Sequence, residues 1–230
     1  MILRGIFFDA ADVLYRRPEP TRCYVAQLLA ERGLAPELPA AERERHRALR
    51  SQAKNGLLGP EEYWDQRLQM HGVVLPEERQ ALAAKISRYS DQVLDIPGGR
   101  EALAGLKQRG FVLGIITDSI YPIERKVGWL DEVGVAEFID VLACSTALGT
   151  HKPEPAIYLK ALNKAGLAPG ESAFVGHAAD ELEGARRAGL ATVAVYHDPG
   201  AQADYYAESL VDLLHVPIFG ARKRMKGAGK

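Results

Sequence analysis

Scarce cysteine, no long apolar run and almost no net charge set the first limits on this chain. Its 230 residues include two cysteines, Cys23 and Cys144. They lie too far apart in sequence for a metal knuckle or a disulfide framework, which suits a reducing compartment and makes the cytoplasm the expected location. No apolar stretch approaches the ~20 residues of a membrane span, and the run at residues 6–8 is too short for the core of a signal peptide. No membrane partner is therefore expected. The formal charge is −1, from 29 basic and 30 acidic residues. Five of the basic residues (Arg222, Lys223, Arg224, Lys226, Lys230) fall in the last ten, which hold no acid; 24 basic against 30 acidic leaves the body at about −6. A body of that sign lacks the basic face that a phosphate backbone needs, so nucleic acid is not the expected ligand. The basic tail reads as a solvated end. No internal repeat appears, and no low-complexity stretch outside that tail.

What remains is a chain with 47% hydrophobic residues, enough for one large α/β domain or a core with an inserted cap. Residues 3–9 read as a buried strand, a short apolar run ending in the carboxylate of Asp9. From Pro20 to about Asp91 the pattern is helical: Tyr24, Val25, Leu28 and Leu29 mark one apolar face, residues 42–50 form a charged helix, and Pro60-Glu61-Glu62 opens a helix carrying Tyr63, Trp64 and Leu68. Pro97-Gly98-Gly99 resets the pattern. Helices are then expected at 101–108, 123–132, 155–165 and 182–188, alternating with strands at 112–117, 139–144, 173–175 and 192–195. That rhythm implies βα units and a parallel sheet covered on both faces. The predicted fold is a doubly wound, Rossmann-like α/β core built from residues 1–15 and 93–230, with an all-helical cap at 16–92. Ligands in such sheets sit beyond the carboxyl ends of the strands, where Asp9, Thr117 and the step Gly176-His177 fall.

Four motifs sit on those strand ends: Phe8-Asp9 with Val13-Leu14; Gly114-Ile115-Ile116-Thr117-Asp118-Ser119; His151-Lys152-Pro153-Glu154-Pro155; and Phe174-Val175-Gly176 followed by Glu183-Gly184-Ala185-Arg186-Arg187-Ala188-Gly189. In this order, over roughly residues 4–214, they resemble the haloacid dehalogenase superfamily, in the branch whose helical cap follows the first strand. The resemblance implies a hydrolase in which Asp9 attacks a small anionic substrate, of phosphate-ester or haloacid type, to form an aspartyl-enzyme intermediate. It implies catalytic roles for Asp9, for the Thr117 hydroxyl and for Lys152, which holds nucleophile and substrate anion together. A carboxylate serves as nucleophile when a neighbouring cation offsets its charge and fixes it against the electrophile. Asp118 and Ser119, with Lys54 and Asn55 from the loop at 54–58, are the expected substrate-binding residues.

The chain also departs from the family's pattern. Relatives that are phosphatases carry a second aspartate two residues after the nucleophile; Ala11 stands there. Asp12 is adjacent, but on an extended strand end successive side chains face opposite ways. Where the fourth motif supplies a metal-binding carboxylate this chain has His177, with a later acid at Asp180 or Glu181. Magnesium prefers hard oxygen ligands, so an Mg²⁺ site on Asp9, His177 and Asp180 or Glu181 is expected to be weakened, and a softer divalent ion or none at all stays open. Two relatives tolerate such gaps. Phosphonoacetaldehyde hydrolases resemble the chain in the alanine and use a cap lysine as a Schiff base, for which Lys54 is the candidate. The 2-haloacid dehalogenases need neither second aspartate nor metal, but use a cap arginine (Arg16, Arg17 or Arg22 here) and an asparagine where this chain has Ala178. The reading leans to an enzyme. The alternative is a catalytically silent protein of the same fold that binds a small anion or a protein partner. The oligomeric state is left open.

Overall fold

The structure is a computed structural model that describes residues 2–220; the basic tail falls outside them. Strand β1 (Gly5–Phe8) is fully buried, and its side chains alternate between two cores. Ile6 and Phe8 face one apolar cluster while Phe7 faces the other, the period-two geometry of a strand covered on both sides. The first cluster is roofed by helices α5 (Gly99–Gln108) and α6 (Ile123–Glu132), which contribute Ala102, Leu103, Leu106, Trp129 and Leu130. The second is roofed by α8 (Pro155–Ala165) and α9 (Ala179–Arg187), with Ile157, Tyr158, Leu162 and Leu182.

Beside β1 run β4 (Val112–Thr117), β5 (Val141–Cys144), β6 (Ser172–Gly176), β7 (Ala191–Val195) and β8 (Tyr205–Ala207). The sheet order is β5-β4-β1-β6-β7-β8, and every pairing is parallel. Such a sheet, wound on both faces, is the predicted α/β, Rossmann-like class. Phe7 opposes Gly114 across the β1–β4 pair. A Cβ at Gly114 would meet the Phe7 ring at 2.4 Å, so glycine there lets the ring lie flat over the neighbouring strand.

After β1 the chain forms β2 (Tyr15–Arg16), which pairs antiparallel with β3 (Leu94–Asp95). Between these two strands lie α1 (Thr21–Ala30), α2 (Arg43–Lys54), α3 (Pro60–Met70) and α4 (Pro76–Ser90), and no strand. These helices bury a core of their own, including Leu29, Leu49, Tyr63, Leu68 and Ile86. The helical insert is fastened to the sheet layer by polar contacts. Trp64 Nε1 donates to the Tyr121 hydroxyl at 3.2 Å, Ser90 Oγ shares that hydroxyl at 3.0 Å, and Arg125 Nε donates to Asp91 at 2.6 Å.

Some elements differ from expectation. The helix expected from 182 begins at Ala179, because Asp180 and Glu181 occupy its first turn, where acids suit the helix dipole. The strand expected from 139 begins at Val141, since Asp140 turns its carboxylate to accept the Leu113 amide at 2.8 Å. Strands β2, β3 and β8 and the short helix α7 (Ser145–Leu148) lack a sequence period long enough to reveal them.

Candidate active site

The sheet order brings the ends of β1, β4 and β6 side by side, and the candidate residues meet there. The Asp9 amide donates to Val175 O at 2.9 Å, extending the β1–β6 ladder one residue beyond the strand. This holds the Asp9 side chain, 7% exposed, at the mouth. Lys152, just ahead of α8, has its side chain 1% exposed, and its ammonium donates to Asp9 Oδ1 at 2.5 Å and to Glu181 Oε2 at 2.7 Å. Thr117, the last residue of β4, is buried, and the chain continues into Asp118. Asp118 Oδ1 accepts the Lys152 amide at 3.0 Å and Oδ2 accepts Lys54 Nζ at 2.6 Å. A carboxylate just beyond β4 thus binds both the lysine loop and the helical insert.

These groups line a cavity of about 330 Å³, to which Arg50, Asp12 and His177 also contribute. Two larger hollows, beside Gly98–Gly99 and between α3 and α4, contain none of these residues; the chemistry identifies the smaller one. Burial alone would depress the Lys152 ammonium, but Asp9, Glu181 and Asp118 outweigh it and hold the group above its usual range. Burial pushes Glu181 upward against the attraction of Lys152, and Asp9 adds to that rise, since one ammonium serves two carboxylates. For Asp118 burial works upward, but Lys152 and Lys54 prevail and lower it.

The donors at the strand ends are engaged with one another rather than free for a divalent cation. Asp9 Oδ1 and Glu181 Oε2 share the Lys152 ammonium, which sits where a bound cation would have to compete. Asp180 is exposed, and its Oδ1 accepts the Glu181 amide at 2.9 Å. His177 Nε2 stands 3.9 Å from Asp9 Oδ2. Among the described residues no three His, Cys, Asp or Glu side chains are arranged to hold a metal. Octahedral magnesium wants close, hard oxygen donors, and these residues do not fit it. Of the four candidate ligands, Asp9, His177 and Glu181 border the cavity, and Asp180 is not in its lining. The choice between the two acids is resolved: Glu181 faces the cavity.

Of the candidate substrate-binding residues, Lys54 and Asp118 line the cavity as an ion pair. Ser119 lines it too, while its hydroxyl accepts the Tyr121 amide at 2.9 Å. Asn55 is not in the lining; its Oδ1 lies 2.8 Å from His151 Nδ1 and closes the loop onto the core. The Lys54 ammonium–carboxylate pair is ill suited to imine formation, which needs a free amine. Arg16, Arg17 and Arg22 are absent from the cavity. Arg17 instead donates to Ser90 O at 3.0 Å and lies over the Trp129 ring. The arginine that does reach the cavity is Arg50, missed in the sequence although it lies one helical turn before Lys54, a spacing that puts both on one face. Asp12 also departs from expectation. Its φ of 60° and the bond from its amide to Tyr15 O make a turn rather than extended strand, so the alternation rule fails and Asp12 borders the same cavity as Asp9.

Comparison with known proteins follows the same lines. The glyceraldehyde 3-phosphate phosphatase of Methanopyrus kandleri is 27% identical over 202 residues, covering 84% of this chain and 84% of that protein. The phosphoglycolate phosphatase of Pseudomonas putida is 30% identical over 138 residues, covering 57% of this chain and 50% of that protein, so the match spans about half its length. Among solved structures, an L-2-haloacid dehalogenase superposes with a TM-score of 0.64 at 23% identity, covering 93% of this chain and 97% of that one, a likeness of fold. A family model described as haloacid dehalogenase-like hydrolase matches residues 3–189. With that match across the parallel sheet and the residues at its strand ends, the chain belongs to the haloacid dehalogenase-like hydrolase family.

Proposed function

We propose that this protein hydrolyses a small anionic substrate, of the phosphate-ester or 2-haloacid class, through a covalent intermediate on Asp9, and does so without a divalent metal. The observation that carries this reading is the nearly sealed Lys152 ammonium bridging Asp9 Oδ1 and Glu181 Oε2. Held through Oδ1, the Asp9 carboxylate keeps Oδ2 as its attacking oxygen. The fixed cation does the charge balancing that permits a carboxylate to approach an anion. Thr117 offers its hydroxyl to the reacting group, and the insert (residues 16–92) acts as the cap, with Arg50 and Lys54 facing the substrate from above.

Charge narrows the substrate. Lys152 and Lys54 already have carboxylate partners, so Arg50 is the lining cation that no carboxylate neutralises among the described residues. A unit-charge contact at 4 Å is worth about 4 kcal/mol at a surface-like dielectric. A single negative charge at the reacting end, as in a haloacid carboxylate or a singly ionised phosphate ester, therefore suits the site better than a dianion. The phosphatase names of the curated relatives support the phosphate class. A second reading rests on Ala11: with no acid there to protonate a leaving group, the fold could serve as a silent anion-binding protein.

The test is a panel of 4-nitrophenyl phosphate, phosphoglycolate, glyceraldehyde 3-phosphate and L-2-chloropropionate, assayed in excess chelator and with added Mg²⁺. Turnover is expected to persist in chelator, and Asp9→Asn is expected to reduce it at least about 10³-fold. Activity that survives Asp9→Asn removes the covalent mechanism. No turnover, with inorganic phosphate still raising the melting temperature, favours the silent reading.

A further inference from the structure

We propose that His177, oriented by Asp198, is the general base that delivers water to the Asp9 adduct; this rests on the nucleophilic role of Asp9 above. Three neighbouring strands each supply one member of the row. Asp9 follows β1, His177 follows β6 and Asp198 lies beyond β7, and these strands are adjacent in the sheet. His177 Nε2 lies 3.9 Å from Asp9 Oδ2, and His177 Nδ1 lies 3.6 Å from Asp198 Oδ1. The two ring nitrogens thus face two different carboxylates. At 3.6 Å Asp198 makes no direct hydrogen bond to the ring, but its negative charge beside Nδ1 favours the proton on that nitrogen and leaves Nε2 as the acceptor.

The first spacing is the informative one. At 3.9 Å the pair is too long for a direct hydrogen bond but suits a bridging water about 2.8 Å from each atom. The imidazole ring is 21% exposed at its side chain, so water reaches it from the mouth. The backbone holds Asp198 in place: its amide donates to His177 O at 3.0 Å. The turn between β7 and Asp198 passes through Tyr196 at φ 47°, a left-handed conformation that a tyrosine seldom adopts. Its hydroxyl accepts the Leu210 amide at 3.2 Å, which pins the turn. Ala11 stands within the cavity lining and has no acid or base to offer, Glu181 is held by the Lys152 ammonium, and Asp12 lies on the turn beyond Ala11; His177 is the lining group whose ring nitrogen faces the free Asp9 oxygen.

In that step Nε2 takes one proton from water as the water oxygen bonds to the adduct. On a phosphoryl adduct the oxygen attacks phosphorus, the P–Oδ2 bond breaks, and its electron pair returns to the Asp9 carboxylate. The imidazolium then gives its proton to the released phosphate or to solvent. On an alkyl ester the oxygen attacks the Asp9 carboxyl carbon, the bond to the alkyl oxygen breaks, and the departing hydroxy acid takes the proton back. Asp198 is a positioning residue and touches neither substrate nor water.

The experiment follows 4-nitrophenyl phosphate and L-2-chloropropionate by rapid quench, with intact-protein mass spectrometry, in native protein, His177→Asn, His177→Gly and Asp198→Asn. The first-turnover release of the leaving group is expected to stay within about threefold of native in all variants. Steady-state turnover is expected to fall about 100-fold or more in both His177 variants and about tenfold in Asp198→Asn, each accumulating the Asp9 adduct. Added imidazole is expected to restore turnover in His177→Gly. A structural defect would lower both steps together without storing adduct. Native turnover in His177→Asn, or equal loss of burst and steady state, overturns the base while leaving the nucleophile intact. A native protein that never labels Asp9 overturns the nucleophile, and the base with it.

Discussion

Among the described residues, Lys152 is the one Lys or Arg whose side chain contacts the buried carboxylate of Asp9 and the partly buried one of Glu181. Replacing it by methionine preserves the length and apolar volume of the side chain but leaves both acids without a counter-charge. Removing one member of a buried ion cluster destabilises by about 3–5 kcal/mol, largely from the stranded charge. Lys152→Met is therefore expected to lose about that much in urea unfolding, along with all turnover, whereas Lys152→Met/Glu181→Leu should recover much of the stability and none of the activity. A single variant that unfolds within about 1 kcal/mol of native would mean that the bridge is looser than its 2.5 and 2.7 Å contacts indicate. Asp9, Thr117 and Lys152 were legible in the sequence because each ends a strand or precedes a helix in a recognisable motif. Arg50 and Asp198 were not. Arg50 belongs to a helix whose charged residues look alike until the structure shows which face meets the cavity, and Asp198 becomes relevant only through the adjacency of β6 and β7.

The helices of the insert carry a different electrostatic feature. His46, on α2, lies 3.3 Å from the Tyr63 hydroxyl on α3. Burial pulls its imidazole down to about 4, assisted by Arg67, Arg50 and His71. His71 is lowered in the same sense, chiefly by burial. The folded insert thus binds fewer protons than the unfolded chain between pH 6.5 and 4, so stability rises with pH across that window and is lost as pH falls through it. For a half-exposed ring the loss is roughly 1–2 kcal/mol after discounting for solvent screening. Thermal melts by circular dichroism from pH 7 to 4 should show a steeper decline in native protein than in His46→Gln. Parallel slopes would mean that His46 does not carry the acid sensitivity in this window, since lowered carboxylates such as Asp118 and Asp91 lose their contribution only below about pH 4. At this scale the long helices and the central strands were readable because their apolar periods run over many residues. The β2–β3 pair, which brackets the insert, has two residues per strand and no period to detect.

Across the whole molecule, the insert and the sheet layer meet at the cavity through polar contacts and through Ile120, which packs against the apolar cores of both. Lys54 reaches Asp118 and Asn55 reaches His151. The next residue, Gly56, at φ +71°, lies so close to Thr146 that a Cβ would come within 2.3 Å of its carbonyl oxygen. Alternating strands and helices in the sequence foretell the two layers, but not how closely the loop at 54–58 seats on α7, because that depends on side chains far apart in the chain. An anion in the cavity would touch both layers at once, with Lys152 below and Arg50 above, and so should favour the seated arrangement. Ligand bound only to the folded state stabilises it by about 2.7 kcal/mol at 100 times its dissociation constant. Arg50 is exposed and engages no partner carboxylate among the described residues, so Arg50→Ala should leave the unliganded protein within about 0.5 kcal/mol of native. Loss of one charge-assisted contact should weaken phosphate at least tenfold, which removes about 1.4 kcal/mol of the phosphate-induced gain. Scanning calorimetry over a phosphate titration separates these terms. An unchanged baseline melt with a reduced phosphate shift supports an insert that closes on its ligand through Arg50, whereas an unreduced shift in Arg50→Ala would place anion recognition on the sheet layer alone.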